Sequence, residues 1–374
     1  MPTKVIFGSG AVEHTGPEAS QLGRAALVVT GKASSKRSGA LDRAVASLQK
    51  SDLKVEVFDQ VEENPTDLTT ERGAELARAK KIDVIVALGG GSPMDAAKGI
   101  AILVSLGGRL EDYYGAAKVS APVLPVLVLP TTAGTGSEVT PYAVFTDSRE
   151  EMKKSVASPA IFPRTALLDP QLTASMPPEV TANTGIDALT HALEGFTSVK
   201  AGPISDTLAL EAIALIQRHL PVAVERGDEL EARAWILHAS MLAGMVIAQT
   251  GTTLIHGMGY APTTAYGIPH GLANGILMPQ VVAFNGQEQG ERYARLAAAL
   301  GQKGDASSGT KLAVESLRRL LDDVKMPTRL RDVDVTEEDL EKFARQAMKH
   351  TRNLANNARR VSYEEALQIY RDSY

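Results

Sequence analysis

The feature that most constrains this chain is a short apolar run ending in three consecutive glycines. Ile82-Asp83-Val84-Ile85-Val86-Ala87-Leu88 leads into Gly89-Gly90-Gly91, and Ser92-Pro93-Met94-Asp95-Ala96-Ala97-Lys98 follows. β-Branched residues favour a strand covered on both faces. Ser as a cap and Pro in the first turn favour a helix start. A strand joined so tightly to a helix belongs to a βαβ unit, and therefore to a parallel sheet. Apolar runs recur at 25–30, 55–58, 123–129 and 166–168, separated by helix-like stretches near 35–50, 66–80 and 93–105.

After Asp169-Pro170 the pattern changes to helical periodicity, with a helix start at Ser175-Met176-Pro177-Pro178-Glu179. Ser362-x-x-Glu365 and Thr336-x-x-Asp339 read as capping boxes, and the Gly/Ser-rich segment 301–310 reads as a surface loop. The expectation is an α/β domain over 1–177, Rossmann-like with a parallel sheet, followed by an all-α domain over 178–374.

Composition removes whole classes of chemistry. The 374 residues include 7 His and no Cys, so disulfides, thiolate metal sites and thiol catalysis are excluded. With 39 Lys and Arg against 44 Asp and Glu, the net charge of -5 offers no general attraction to nucleic acid or an anionic membrane. The opening MPTKVIFGSGAVEHTG lacks the form of a signal peptide. The apolar stretch 235–248, interrupted by His238, reads as too short to cross a bilayer. A cytoplasmic protein without membrane or nucleic-acid partners is expected.

Bare backbone N–H groups at the start of a helix make a seat for a phosphate, and glycine lets a pyrophosphate approach. A tight turn without a ligand is the other reading of Gly89-Gly90-Gly91. Pro130-Thr131-Thr132-Ala133-Gly134-Thr135-Gly136-Ser137-Glu138 forms a second small-residue turn after the next strand, rich in hydroxyls able to meet phosphate or ribose oxygens. Gly8-Ser9-Gly10-Ala11-Val12-Glu13 begins like the usual dinucleotide fingerprint but ends in Glu, and no P-loop motif occurs.

Asp187 and His191 are spaced i, i+4 and share one helix face. His256 and His270 lie in Gly-flanked apolar segments. Three imidazoles and a carboxylate suit divalent iron or zinc, although hydrogen-bonded core histidines fit the same spacing.

These motifs together resemble the iron-containing, or group III, alcohol dehydrogenases with their dehydroquinate-synthase-like fold. The resemblance spans GGGSPMDAAK, PTTAGTGSEVT, ALLDPQLTASMPP, TGIDALTHALEGFTS, HGMGYAPTTAYGIPHGLANGILMP and the tail NNARRVSYEEALQIYRDSY. It implies metal ligands at Asp187, His191, His256 and His270. It implies cofactor contacts at Asn64, Gly91, Ser92, Thr131, Thr132, Thr135, Tyr142, Lys153 (with Lys154 adjacent) and Leu172. The implied reaction is hydride transfer between a small alcohol or aldehyde and NAD(P)(H), with Fe(2+) or Zn(2+), in a homodimer or larger homo-oligomer. A glycerol-dehydrogenase-like polyol oxidoreductase or a dehydroquinate-synthase-type lyase would use the same fold. The lyase needs cations for an acidic substrate, and the segments around 184–198 and 254–279 hold almost none.

Two positions depart from the family pattern. Where many members have Asp after the second strand, this chain has Gly31, followed by Lys32, Lys36 and Arg37, which favours NADP(H) over NAD(H). Tyr260 stands where many relatives carry His; it is the candidate for proton relay, yet a phenol of pKa about 10 is a poor general base.

Overall fold

The computed structural model describes residues 2–150 and 152–374. Two compact units are present, the first ending at Ser175 and the second running from Met176 to Tyr374. Strands of the first unit are β1 (Lys4–Phe7), β2 (Ala25–Gly31), β3 (Lys54–Val61), β4 (Val84–Gly89), β5 (Gly115–Ala116), β6 (Val126–Pro130), β7 (Tyr142–Asp147), β8 (Met152–Ala157) and β9 (Thr165–Leu168). Its helices are α1 (Thr15–Ser20), α2 (Ser34–Arg37), α3 (Ala40–Lys50), α4 (Asp67–Ala79) and α5 (Gly91–Leu106).

Six strands form one parallel sheet in the order β1-β9-β6-β4-β2-β3. As the near-continuous apolar runs required, β4 and β6 are buried along their whole length. Val28, Val86, Leu127 and Leu167 lie in the core with Ala44 and Leu48 of α3.

Differences from the sequence expectation have local causes. The run at 82–88 enters the sheet only at Val84, because the Asp83 carboxylate accepts the Arg24 and Ala25 N–H groups at 2.8 Å instead. The helix near 35–50 is two helices, broken at Gly39 with φ 73°. β1 and a second, three-stranded sheet (β5-β8-β7) were not expected. Their strands are short or half-exposed, so they lack the apolar runs that marked the others.

The second unit contains α6 (Pro178–Thr197), α7 (Pro203–Glu225), α8 (Leu230–Thr250), α9 (Leu254–Tyr266), α10 (His270–Asn285), α11 (Gly290–Ala299), α12 (Gly309–Asp323), α13 (Leu340–Ala347), α14 (Thr351–Asn356) and α15 (Tyr363–Asp372). Apart from an isolated bridge between Ser198 and Asn357, no strand occurs there among the described residues. Pro178 opens α6 and the Ser362–Glu365 capping box is formed. Thr336 makes no such box: Asp339, one methylene shorter than Glu, bonds the Thr336 hydroxyl at 3.1 Å rather than its backbone.

The length argument at 235–248 is corrected. The helix there is α8, of 21 residues, and both it and α7 are long and apolar enough by length and composition to cross a membrane. α8 instead packs against α6 and α7 with most of its surface buried, as a core helix does. His238 is half-buried and stacks on Trp235 at 6.1 Å, toward the surface rather than deep in the core.

Candidate active site

In the first unit the site is built mainly from backbone. Parallel register sets Gly89 beside Pro130, so the turns after β4 and β6 leave the same sheet edge together. The Thr131 N–H donates to the Gly89 carbonyl at 3.0 Å. Gly89 has φ 151°, which L side chains rarely adopt. A Cβ on Gly91 would sit 2.9 Å from Thr135 Cγ2, so any side chain there would push Thr135 aside where the two turns touch. α5 starts at Gly91 with Gly90 as its cap, two residues earlier than Ser92-Pro93 suggested.

Ser92 therefore lies in the first turn, where its Oγ accepts the Asn64 N–H at 3.2 Å. Asn64 holds a left-handed φ of 57°. The Pro65 carbonyl accepts the Thr146 N–H at 2.9 Å, which ties the end of β7 to the same corner, and Tyr142 opens that strand four residues earlier. Lys153 and Lys154 alternate on β8: Lys154 pairs with Glu150 at 2.5 Å, while the Lys153 charge is felt by Asp95 of α5. Leu172 is placed differently, inside the core with Leu88 and Leu129.

Two further sequence signals fall into place. The Gly8–Gly10 turn spends its N–H groups on structure, with Gly10 and Val12 donating to Asp169 Oδ2 at 3.1 and 3.3 Å. Gly31 ends β2, and a Cβ there would meet only the Val61 carbonyl at 3.6 Å, an ordinary contact. Lys32, Lys36 and Arg37 are exposed, and Lys36 forms an ion pair with Asp59 of β3.

In the second unit the site is built from side chains on three helices. Asp187 and His191 come from α6, His256 and Tyr260 from α9, His270 and Asn274 from α10. Close packing brings them together: a Cβ on Gly271 would lie 1.9 Å from the Asn183 carbonyl, and one on Gly259 would lie 2.1 Å from Asn274 Oδ1. Asp187, His256 and His270 each offer a ligand atom within 4.8 Å of the others. Asp187 Oδ1 lies 3.8 Å from His256 Nε2 and 4.0 Å from His270 Nε2. His191 is buried next to this trio, its ring stacked on His256 at 4.7 Å.

Glu194, on the same face of α6, also belongs to the site, although the ligand pattern in the sequence does not include it. Its Oε2 lies 2.6 Å from His256 Nδ1, and its Oε1 accepts from Thr253 Oγ1 at 3.0 Å and from the His256 N–H at 3.1 Å. With Nδ1–H committed to the carboxylate, the Nε2 lone pair faces the Asp187 side. That Nε2 is buried and makes no hydrogen bond. Its signal in the sequence was spacing: Glu194 follows Asp187 by seven residues and His191 by three, the face of an α-helix. Asn274, also missed, donates to Asp187 Oδ1 at 3.1 Å and lies 3.2 Å from His270 Nε2.

Electrostatics follow from this packing. Burial alone would raise the carboxyl pKa values and lower that of His256. The charges of His191, His270 and His256 outweigh it at Asp187, and His256 outweighs it at Glu194, so both carboxyls are held below their ordinary values. His256 is pushed up in turn, chiefly by Glu194. Tyr260 stacks on His270 at 5.4 Å and lies 4.9 Å from the His350 ring. Burial, and then the charges of Glu194 and Asp187, push its phenol up to about 12.

A parallel sheet with a glycine edge and a metal-type cluster in the helical unit are thus in place, and comparison with known proteins gives the chain a family. The description "Iron-containing alcohol dehydrogenase" matches residues 2–170, and "Fe-containing alcohol dehydrogenase family, C-terminal" matches 181–374. A 1,3-propanediol dehydrogenase of Citrobacter freundii is 36% identical, over 100% of this chain and 98% of that protein. An NAD-dependent methanol dehydrogenase of Bacillus methanolicus is 33% identical, over 100% and 98%. The solved structure of a 1,3-propanediol oxidoreductase superposes with a TM-score of 0.97 at 35% identity, covering 100% of this chain and 98% of that one. An iron-containing alcohol dehydrogenase from Thermotoga maritima gives 0.88 at 42%, covering 100% and 98%. The chain belongs to the iron-containing, group III, alcohol dehydrogenase family.

Proposed function

We propose that the chain interconverts a small uncharged alcohol and its aldehyde with a nicotinamide dinucleotide, using one divalent metal ion. The observation that carries this reading is the Asp187/His256/His270 cluster, buried at Asp187 and His256 and half-buried at His270, with Glu194 behind His256. The orphaned His256 Nε2 and the mixed N and O donors fit a divalent transition metal. Asp187, His191, His256 and His270 would hold Fe(2+), or Zn(2+) in its place, and such an ion supplies Lewis acidity toward a substrate oxygen. A nicotinamide dinucleotide held at the first unit's sheet edge would supply the hydride donor or acceptor.

The protein's own groups prepare these partners. Glu194 fixes the tautomer and direction of His256, and Asn274 steadies Asp187. Tyr260 keeps its proton at neutral pH, so it serves as a hydrogen-bond donor rather than a base. On the first unit, Asn64, Gly91, Ser92, Thr131, Thr132, Thr135, Tyr142 and Lys153 are the dinucleotide contacts. Leu172 shapes that edge only from within the core.

NADP(H) is the preferred dinucleotide in this proposal. Gly31 leaves room, and Lys32 and Arg37 supply charge. The Lys36–Asp59 pair opposes it weakly, since an exposed pair is worth at most about 1 kcal/mol and a 2′-phosphate can compete for the lysine. Short alcohols and diols are the substrate class, in keeping with the names of the relatives. The open edge of β1 supports a homodimer or larger homo-oligomer, and the cysteine-free, acidic chain is compatible with the cytoplasm.

The test is to strip the protein of metal, reload it with Fe(2+) or Zn(2+), and assay methanol, ethanol, 1,3-propanediol and their aldehydes with each dinucleotide. Turnover that needs the metal and favours NADP(H) is expected. No turnover with any metal and either dinucleotide would overturn the reading.

A further inference from the structure

α5 does more than open at the glycine turn. Two turns further along, Lys98 is entirely buried, which is rare for lysine. Its ammonium donates to the carbonyls of Ser137 (2.7 Å), Thr140 (3.1 Å) and Tyr142 (2.7 Å) and also contacts Ser137 Oγ at 2.9 Å. Asp95, three residues earlier on the same face of α5, completes the clamp. It accepts from Ser137 Oγ at 2.8 Å and from the Val144 N–H at 2.9 Å. Glu138, buried beside them, has one oxygen without a hydrogen bond.

The clamped segment, 137–144, follows directly on the hydroxyl turn and ends in Tyr142 and the start of β7. Among the described residues it is a 3-10 turn and a strand end, elements with few internal hydrogen bonds of their own. Its carbonyls turn inward to the ammonium, which leaves Thr131, Thr132, Thr135 and Tyr142 to be presented at the sheet edge. An apolar side chain in this position would avoid the desolvation cost of a buried charge, but it would offer those carbonyls no donor.

We propose that Lys98 is a positioning residue for the dinucleotide: its ammonium sets the hydroxyl turn and Tyr142 in register with the glycine turn at the head of the same helix. This inference rests on the dinucleotide reading above. Lys98 does not touch the cofactor; it acts through the 137–142 carbonyls. Burial, against the charges of Asp95 and Glu138, brings the ammonium down to about 8, so it remains largely protonated at neutral pH. Burial also pushes the Glu138 carboxyl up to about 7.

The experiment compares the intact protein with Lys98→Met, Lys98→Arg and Ser137→Ala, reading NADPH and NADH binding by fluorescence, KM against kcat, Co(2+) binding and thermal unfolding. The Met variant should raise the Kd and KM for dinucleotide about 10-fold or more, with Co(2+) binding unchanged. Arg should restore part of the loss, and Ser137→Ala should show a smaller rise in KM without a matching fall in kcat. If Lys98→Met does not fold, the Arg and Ala variants decide by the same KM shift. Dinucleotide binding within twofold of the parent in the folded variants overturns the inference alone. A parent protein that binds neither NADPH nor NADH overturns the dinucleotide reading and the inference with it.

Discussion

The glycine edge of the first unit and the His/carboxylate cluster of the second, the sites proposed for dinucleotide and metal, are built by opposite means. The first is a site of omitted side chains. Gly90 and Gly91 bring half-buried bare backbone to the head of α5, and a Cβ at Gly91 would press on Thr135. The second is a site of added side chains, in which α6, α9 and α10 press together until Asp187, His256 and His270 converge. A local turn can be read from one stretch of sequence, whereas a cluster drawn from residues 83 apart depends on helix packing. The two sites should therefore fail separately when mutated.

The largest separation is expected for His256→Ala. It removes a ligand atom and leaves Glu194 as a buried carboxylate without its imidazole. Turnover should fall by about 10³-fold or more through loss of metal, while dinucleotide fluorescence titrations stay within twofold of the parent. Equal losses of metal and dinucleotide binding would erase the distinction. Glu194→Gln is a milder version. It keeps the size and one acceptor but removes the charge behind Nδ1, and metal affinity should drop about 10- to 100-fold, read by Co(2+) titration.

The opposite failure is expected at Gly91→Ala. Its methyl must displace Thr135, so KM for the dinucleotide should rise about 10-fold with the metal content intact. Gly31→Asp should be tolerated sterically and should shift the ratio of kcat/KM from NADP(H) toward NAD(H), by roughly 10-fold for a charge acting on a phosphate. An unchanged ratio would remove Gly31 from the adenosine site.

The smallest effect concerns pH. A tyrosine pushed up to about 12 does not titrate in the working range, so Tyr260→Phe should leave the position of any inflection in kcat between pH 6 and 10 unmoved and lower only its height. An inflection that disappears with the phenol would show instead that Tyr260 carries the proton.

The legibility of the sequence followed the same division. The alternation of apolar runs and helical stretches was enough for the parallel sheet, since strands buried on both faces announce themselves. Strands half in water, such as β7 and β8, did not. The four ligand candidates were readable as residue types, and the family resemblance connected them. Glu194 and Asn274 were not, because a carboxylate or amide on a helix looks solvated until the helix opposite is known. Lys98 is the sharpest instance. In sequence it is one more lysine at the end of a helical turn, and only the fold of the 137–144 segment shows that four oxygens surround it.

The central claim is that one ion at the α6/α9/α10 cluster is required for alcohol–aldehyde interconversion. Its most direct test is an anaerobic titration of the metal-free protein with Fe(2+), following bound metal and NADP(H)-linked turnover together. The account predicts activity that rises in proportion to occupancy and saturates at one ion per chain, with no such saturation in His256→Ala. Full turnover from protein carrying less than about a tenth of an ion per chain would contradict it, because a Lewis-acid role requires the ion in every working site.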